Sequence, residues 1–91
     1  MSELEELPNI GRDTASQLEA VGITTFEQLR GTGSREAWLR IQQIDPSACL
    51  SRLSALEGAI QGMRWHHLDL ATRTSLHEFY QDHQIEQPGC E

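Results

Sequence analysis

Residues 9 to 12, Asn-Ile-Gly-Arg, are the stretch of this 91-residue chain whose residue types best suit the binding of an anion. Pro8 fixes its own φ and ends any preceding helix, while Asn9 and Gly11 are residue types that tolerate a positive φ. The turn that they predict leads into a helix, whose first backbone N–H groups are unpaired and carry partial positive charge. With Arg12 beside it, this turn is suited to hold a phosphate or a carboxylate.

The pattern is that of a helix-hairpin-helix element, which contacts the backbone of a nucleic acid without reading its bases. Ile10 is then expected to enter the core, and the N–H groups of Ile10 and Gly11 are expected to bind phosphate together with Arg12. The same pattern also builds a tight corner between two helices that binds no ligand, because a single such element is a weak signal. Both interpretations stay open on these residues alone.

A second group of residues, His66, His67, Asp69 and His77, carries imidazole and carboxylate groups of the kind that bind metal ions. Two adjacent histidines at a helix end do not easily face one ion, and no cysteine or histidine pair has zinc-finger spacing. We therefore expect neither a metal site nor a cofactor. We expect Trp65 to be buried and its histidine neighbours to bind carbonyl groups at the end of a helix.

The sequence gives no sign of a catalytic nucleophile. Cys49 falls near an apolar helical stripe, and neither a GxSxG nor a P-loop motif occurs, so a hydrolase or an NTPase is not expected. The two cysteines, Cys49 and Cys90, form neither a disulfide framework nor a CxxC metal knuckle, which fits a reducing compartment. No apolar run is long enough to span a membrane and the first residues are acidic, so we expect a cytoplasmic protein. Because no catalytic motif is found, we also expect that it is not an enzyme.

The formal net charge of −7 argues against a broad nucleic-acid-binding surface, which needs clustered cations. Half of the 14 acidic residues lie near the two ends of the chain, and the others are balanced by 7 arginines, with no lysine. The arginines form no obvious stripe, so we interpret most of them as a solvated face or as partners in ion pairs within the fold. They are Arg12, Arg30, Arg35, Arg40, Arg52, Arg64 and Arg73.

The apolar spacing predicts an all-α domain, a small bundle of about five helices over residues 1 to 83, followed by a flexible tail at 84 to 91. The predicted helices cover residues 3 to 7, 12 to 21, 25 to 30, 34 to 43, 46 to 64 and 69 to 82. The expected helix-terminal residues are Ser2 with Glu5 and Thr24 with Glu27 as capping boxes, Ser34 and Asp45 as N-caps, and Gly22 as a C′ residue. The expected core residues are Ala15, Leu18, Val21, Ile23, Phe26, Leu29, Trp38, Leu39, Ile41, Ile44, Leu50, Leu53, Leu56, Ile60, Met63, Leu76, Phe79 and Tyr80.

The helix predicted at 46 to 64 is the longest and carries a strip of small residues beside its apolar stripe. Gly58 and Gly62 lie four residues apart on it, and each costs about 1 kcal/mol of helix propensity relative to alanine. We therefore expect both glycines, with Trp65, at a close helix–helix contact within the fold or across a dimer.

Four segments of the chain resemble the C-terminal domain of the TfoX (Sxy) competence regulators, over about residues 4 to 79. These segments are LPNIG at 7 to 11, VGI at 21 to 23 with FEQL at 26 to 29, EAWLRI at 36 to 41, and LEGAIQGMRW at 56 to 65. The resemblance implies a helical fold of the helix-hairpin-helix kind and a non-enzymatic bacterial protein associated with the regulation of DNA uptake. No N-terminal TfoX domain stands in this sequence, so we expect any activity of that half to be missing or supplied in trans.

Two functions follow from these observations. The first is a regulatory module that contacts the backbone of DNA, or a transcription-regulatory protein, through the hairpin at Asn9, Ile10, Gly11 and Arg12. The alternative is a protein-interaction adaptor that binds no DNA. The DNA-binding function predicts arginines on one face with the acidic ends turned away, whereas the adaptor predicts a contiguous apolar or tryptophan-bearing patch.

Overall fold

The computed structural model describes residues 3–46 and 48–83, and within them it contains only helices, turns and loops. The elements are a 3₁₀ helix at Glu3–Glu6, α1 at Arg12–Ala20, α2 at Phe26–Thr32, α3 at Ser34–Ile44, α4 at Leu50–Gln61, a 3₁₀ helix at Trp65–His67, and α5 at Leu70–His83. The prediction of an all-α fold with about five helices is confirmed. The predicted Ser2 cap and the predicted tail with Cys90 lie outside the described residues. Across those residues, no helix combines the length and the apolar character that a membrane crossing needs.

Trp38 on α3 lies at the centre of the core and is fully buried. Its ring meets Phe79 and Tyr80 of α5 edge to face, at centroid distances of 6.1 and 5.7 Å. Its indole N–H donates a hydrogen bond to the Cys49 carbonyl at 3.2 Å, just before α4 begins. One side chain therefore joins α3, α4 and α5. Ile44, at the end of α3, is 52% exposed and does not join this core.

Glycines with a positive φ lie at the ends of three helices, Gly22 after α1, Gly33 after α2 and Gly62 after α4. Gly22 has φ 90°, and the N–H groups of Gly22 and Ile23 return to carbonyl groups of the last turn of α1, which confirms the predicted C′ glycine. Gly62 repeats this arrangement at the end of α4, with φ 76° and a hydrogen bond from Met63 N to Gly58 O at 2.9 Å. The prediction that α4 continues to residue 64 is therefore wrong, because Gly62 in the left-handed conformation ends the helix.

The N-termini of α2 and α3 differ from the predicted ones. The capping box of α2 is formed by Thr25 and Gln28 rather than by Thr24 and Glu27. Ser34 does not cap α3, since its hydroxyl donates to Glu57 Oε1 at 2.6 Å. Gly33 is the N-cap of α3 and Ser34 is its first helical residue, so the Ser34 side chain binds the neighbouring helix instead of capping its own.

Helix α4 also begins later than predicted, at Leu50 instead of residue 46. The prediction that it is the longest helix is therefore wrong, since among the described residues that helix is α5. The Asp45-Pro46 pair is typical of a helix start. Here Asp45 instead accepts a hydrogen bond from Gln17 Nε2 of α1 at 2.7 Å, and Ala48 N donates to Asp45 O at 2.9 Å. These bonds hold a turn at Asp45, so α4 starts at Leu50.

The two glycines of α4 have different roles. A Cβ on Gly58 would lie 2.5 Å from Asn9 Nδ2, 2.8 Å from Met63 O and 3.1 Å from Trp65 Cα. Gly58 is thus at a close contact as predicted, but its neighbours are a turn and the segment after α4 rather than another helix. A Cβ on Gly62 would meet no atom within 4 Å, so the prediction of close packing there is wrong.

We expect Gly58→Ala to lower the free energy of unfolding by about 1–3 kcal/mol, because the new methyl group overlaps the Met63 carbonyl oxygen. Gly31→Ala is the matched control, since Gly31 lies inside α2 with open space at its Cβ, and there alanine is expected to stabilise by about 1 kcal/mol. Urea unfolding midpoints measure both effects. Equal midpoint shifts for the two variants would show that the contact at Gly58 has no energetic weight.

Candidate nucleic-acid interface

Backbone hydrogen bonds close the turn between the first 3₁₀ helix and α1. Leu7 N donates to Leu4 O at 3.1 Å, and Ile10 N donates to Leu7 O at 3.3 Å. Asn9 has φ 70°, a left-handed conformation that asparagine adopts more readily than most residues. Ile10 is 5% exposed and enters the core, as predicted. The Ile10 N–H group is therefore already engaged within the turn.

The Asn9 side chain fastens this turn to the segment that follows α4. Its Nδ2 donates to Met63 O at 2.9 Å, and its Oδ1 accepts from Trp65 N at 3.1 Å. Both polar atoms of the amide are thus used inside the protein, across more than 50 residues of sequence. The Asn9 amide therefore holds the turn against the segment after α4, and it is not available to bind a ligand.

Gly11 does not supply the positive φ that its residue type suggests. It has φ −95° and ψ −173°, an extended conformation that any residue adopts, and it is the N-cap of α1. Its carbonyl accepts the first hydrogen bond of the helix, from Ala15 N at 2.9 Å. Only Asn9 of the predicted pair takes the left-handed conformation.

The first turn of α1 leaves the N–H groups of Arg12, Asp13 and Thr14 without acceptors within the helix. Arg12 is exposed, and nothing in residues 3–46 and 48–83 makes an ion pair with its guanidinium. The helix end and this side chain are thus open to solvent and available to an anion.

A groove of about 360 Å³ lies beside this turn, between the start of α1, the start of α4 and the segment after α4. We call it the arginine groove, after the two arginines that line it, and its main lining residues are Asn9, Thr14, Arg52, Arg64, Trp65 and His66. Among the described residues no carboxylate lines it. The charged side chains of its lining are therefore arginines, and the N-terminal ends of two helices lie beside it, although α1 carries Asp13 in its first turn.

The two arginines of the groove are held differently. Arg52 donates from a guanidinium nitrogen to Gln17 Oε1, and the same Gln17 amide donates to Asp45, so Arg52 is fixed in place. Arg64 is exposed, and its guanidinium makes no hydrogen bond or ion pair in the described part of the chain. One fixed and one free fork suit an anion such as a phosphate.

Trp65 is 40% exposed, so the prediction that it is buried at a helix–helix contact is wrong. It lies in the 3₁₀ helix after α4, where its ring meets that of His66 edge to face at 5.6 Å. His66 and His67 are exposed, and neither ring binds a helix-end carbonyl within the described residues. The early end of α4 at Gly62 explains the difference, because it carries the indole away from the α4 core stripe.

Trp65 also lines a second groove on its other side, which we call the Leu70 groove. It measures about 350 Å³ and is lined mainly by Leu50, Ser54, Trp65, Leu70, Arg73 and His77. Leu70 is 77% exposed there. Trp65 thus stands between a polar groove with two arginines and a more apolar one with a third.

Three of the arginines away from these grooves have partners within the fold, whereas Arg12 has none among the described residues. Arg40 pairs with Glu36 at 3.2 Å, Arg35 donates to Ser75 Oγ at 2.7 Å, and Arg30 lies over the Phe26 ring at 5.8 Å. These contacts agree with the interpretation of most arginines as surface or intramolecular partners.

Metal-binding geometry is absent from the described residues, where no group of three or more histidine, cysteine or acidic side chains could hold an ion. The rings of His66 and His67 meet edge to face, with centroids 4.7 Å apart, but no carboxylate completes a site among these residues. The expectation of no structural metal stays a prediction, to be tested with a chelator.

Sequence reasoning missed Thr14, Arg52 and Arg64 as members of one site. Arg52 lies in the first turn of α4, Arg64 lies twelve residues later in the segment after α4, and Thr14 lies on α1. The one usable signal was the position of Thr14, in the first turn of the helix that follows the predicted anion-binding turn.

The TfoX C-terminal domain family matches residues 1–80, nearly the whole chain. The chain belongs to this family. It is 36% identical over 76 residues to Protein Sxy of Escherichia coli (strain K12), a match that covers 84% of this chain and 36% of Sxy. This TfoX C-terminal domain therefore spans little more than a third of the length of the curated relative that it matches.

Crystal structures of two related chains from Listeria monocytogenes have the same fold. An uncharacterized protein in a triclinic crystal form has a TM-score of 0.86 and 51% identity, covering 87% of this chain and 90% of that one. A protein of unknown function in a tetragonal form has a TM-score of 0.86 and 50% identity, covering 88% and 98% of the two chains. The helical arrangement of this domain thus recurs in close relatives.

Replacing Asn9 tests its role as the fastening of the turn. Asn9→Gly keeps the left-handed conformation but removes two hydrogen bonds, so we expect the free energy of unfolding to fall by about 1–3 kcal/mol. Asn9→Ala removes the same bonds and adds a cost of about 1–2 kcal/mol for the positive φ. Chemical denaturation of both variants separates the loss of the hydrogen bonds from the cost of the positive φ. Unchanged stability in Asn9→Gly would contradict the role of Asn9 in fastening the turn.

Treatment with a chelator tests the expectation that the protein binds no structural metal. The treatment is expected to keep the thermal midpoint where it was, because a structural metal contributes folding free energy directly and its loss lowers the midpoint by many degrees. A large drop, reversed by adding zinc, would reassign His66 and His67 as ligands.

Proposed function

We propose that this TfoX C-terminal domain is a non-enzymatic, cytoplasmic regulatory module that contacts the backbone of a nucleic acid at the turn formed by residues 9 to 12. The observation that carries the proposal is the arginine groove beside this turn, which joins Arg52 and Arg64 to the open end of α1 and has no lining carboxylate among the described residues. The kinship with Sxy supports a role in the regulation of DNA uptake.

The chemistry of this site favours phosphate without base reading. The N–H groups at the start of α1 and the exposed Arg12 side chain can donate hydrogen bonds to the oxygens of one phosphate. Donors of this kind position a protein on a backbone and carry no sequence information. We therefore expect weak binding with slight sequence preference.

The net charge of −7 is compatible with such a contact because several carboxylates have partners elsewhere in the fold. Glu3 Oε2 accepts the Phe26 N–H at 2.8 Å, Glu36 pairs with Arg40, and Glu57 accepts from Ser34. None of the three lines the arginine groove. The repulsion they exert on a phosphate there is screened over about one Debye length, roughly 8 Å at physiological ionic strength.

A second function, a protein-interaction adaptor that binds no DNA, is favoured by one observation. Trp65 is 40% exposed and Leu70 is 77% exposed, and both line the Leu70 groove. Exposed apolar side chains that lie together are typical of a surface that binds another protein, including a second copy of this domain.

Titration with duplex DNA at two salt concentrations tests the first function. If two or three phosphates are neutralised, log K against log salt should have a slope of about −2 to −3, with a Kd of ~10⁻⁴–10⁻⁶ M. Arg12→Ala should weaken binding equally on duplexes of different sequence and reduce the slope by about 1, without loss of stability.

Arg40→Ala is the charge-matched control for this experiment, since it removes one cation from α3 whose guanidinium is paired with Glu36. We expect it to leave the slope unchanged. Equal effects of the two variants would assign the binding to net charge, and an absence of binding to duplex and single strand alike at low salt would leave the adaptor as the function.

A further inference from the structure

We propose that the arginine groove binds single-stranded nucleic acid, with one phosphate held by Thr14, Arg52 and Arg64 and one unpaired base stacked on the indole of Trp65. This inference rests on the proposed function, because it names the kind of strand that the same face takes. Its evidence is the placement of these side chains in the groove, which lies beside the turn.

The Thr14 hydroxyl is the first observation that points to a ligand. Thr14 is only 7% exposed and lines the groove, yet its hydroxyl has no hydrogen-bond partner among the described residues. No fully buried side-chain oxygen or nitrogen there lacks a partner, so this hydroxyl reaches the space of the groove. Because the hydroxyl is accessible from the groove and has no partner in the described part of the protein, it is available to donate to a phosphate oxygen there.

The two guanidinium groups supply the charge that a phosphate needs. Arg52 is fixed by its bond to Gln17, which leaves further N–H donors on the same fork. Arg64 is exposed and has no partner in the described segments, so it can close over a bound anion. The lining of the groove contains no carboxylate within those segments, and the site is therefore complementary to an anion.

Trp65 supplies the surface for a base. Its backbone N–H is held by Asn9 Oδ1 at 3.1 Å, so the residue is anchored although its side chain is 40% exposed. An aromatic side chain beside a cationic groove is the arrangement that single-strand-binding proteins use, in which bases stack on the ring and arginines follow the backbone. The neighbouring Arg64 and His66 line the same wall.

This geometry favours an unpaired strand over a duplex. In a duplex the base faces are stacked on one another, and freeing one for Trp65 costs a few kcal/mol. A single strand offers its base faces without that cost. A duplex contact at this site would use only the phosphate donors, and Trp65 would add little to it.

The experiment uses oligo(dT), a duplex of equal length, and an abasic oligonucleotide with the same phosphates but no bases. Oligo(dT) is expected to bind more tightly than either, and to quench tryptophan fluorescence. Trp65→Leu should weaken oligo(dT) binding by roughly 5- to 150-fold, the range for one stacked base, and leave duplex binding unchanged. Trp65→Phe, which keeps an aromatic surface, should recover part of the loss and abolish most of the quenching, because Trp38 is buried.

Thr14→Val tests the phosphate contact with little change in shape. It should weaken binding of oligo(dT) and of the abasic strand by the same factor, while Arg40→Ala, the charge-matched control, changes neither. Loss of binding in Thr14→Val with an unchanged unfolding midpoint separates ligand contact from misfolding.

The outcomes distinguish this inference from the proposed function. Equal binding of oligo(dT), duplex and abasic strand, with no effect of Trp65→Leu, would overturn the single-strand inference and leave the backbone contact in place. Binding of oligo(dT) that depends on Trp65 but not on Arg12 would support the inference and contradict the contact at residues 9 to 12. No binding of any nucleic acid, or equally tight Trp65-dependent binding of an oligoglutamate peptide, would overturn the inference.

Discussion

The hydrogen bonds of the Asn9 side chain determine the shape of the candidate site. They join the turn before α1 to the segment after α4, so the two walls of the arginine groove come from residues more than 50 positions apart. The close approach depends on Gly58, because a Cβ there would overlap the Asn9 amide and the Met63 carbonyl. A positive φ at Asn9 aims the amide across the gap. A turn suited to an anion and a glycine suited to close packing are thus parts of one local arrangement.

The features that sequence predicted well are those that a residue type determines by itself or by regular spacing. Gly22 ends α1 because glycine is the residue that adopts a left-handed conformation at little cost. Trp38, Leu53, Leu56 and Leu76 are buried because their spacing places them on the inner faces of helices. The turn before α1 with a buried Ile10 follows for the same reason, since the turn residues and the first apolar residue lie within one short segment.

The features that sequence missed depend on partners far along the chain. Asp45 and Pro46 have the residue types of a helix start, but Gln17 of α1 binds the Asp45 carboxylate and Trp38 binds the Cys49 carbonyl, which delays α4. Trp65 has the residue type of a core anchor, yet the helix stop at Gly62 places it on the surface. The members of the arginine groove were missed because no local pattern relates Thr14 on α1 to Arg52 at the start of α4 and Arg64 in the segment after it.

The acidic composition and a cationic groove coexist because electrostatic effects in water are local. The molecule measures 33 Å along its longest axis, several times the Debye length of roughly 8 Å at physiological ionic strength. Carboxylates far from the groove are therefore largely screened from it, whereas Arg52 and Arg64 line it directly. If the proposed contact is correct, a site of two arginines beside helix N-termini neutralises few phosphates, so we expect its affinity for a nucleic acid to be low. Low affinity suits a module that acts together with a second binding element, because linkage raises the effective concentration at each site without any new contact.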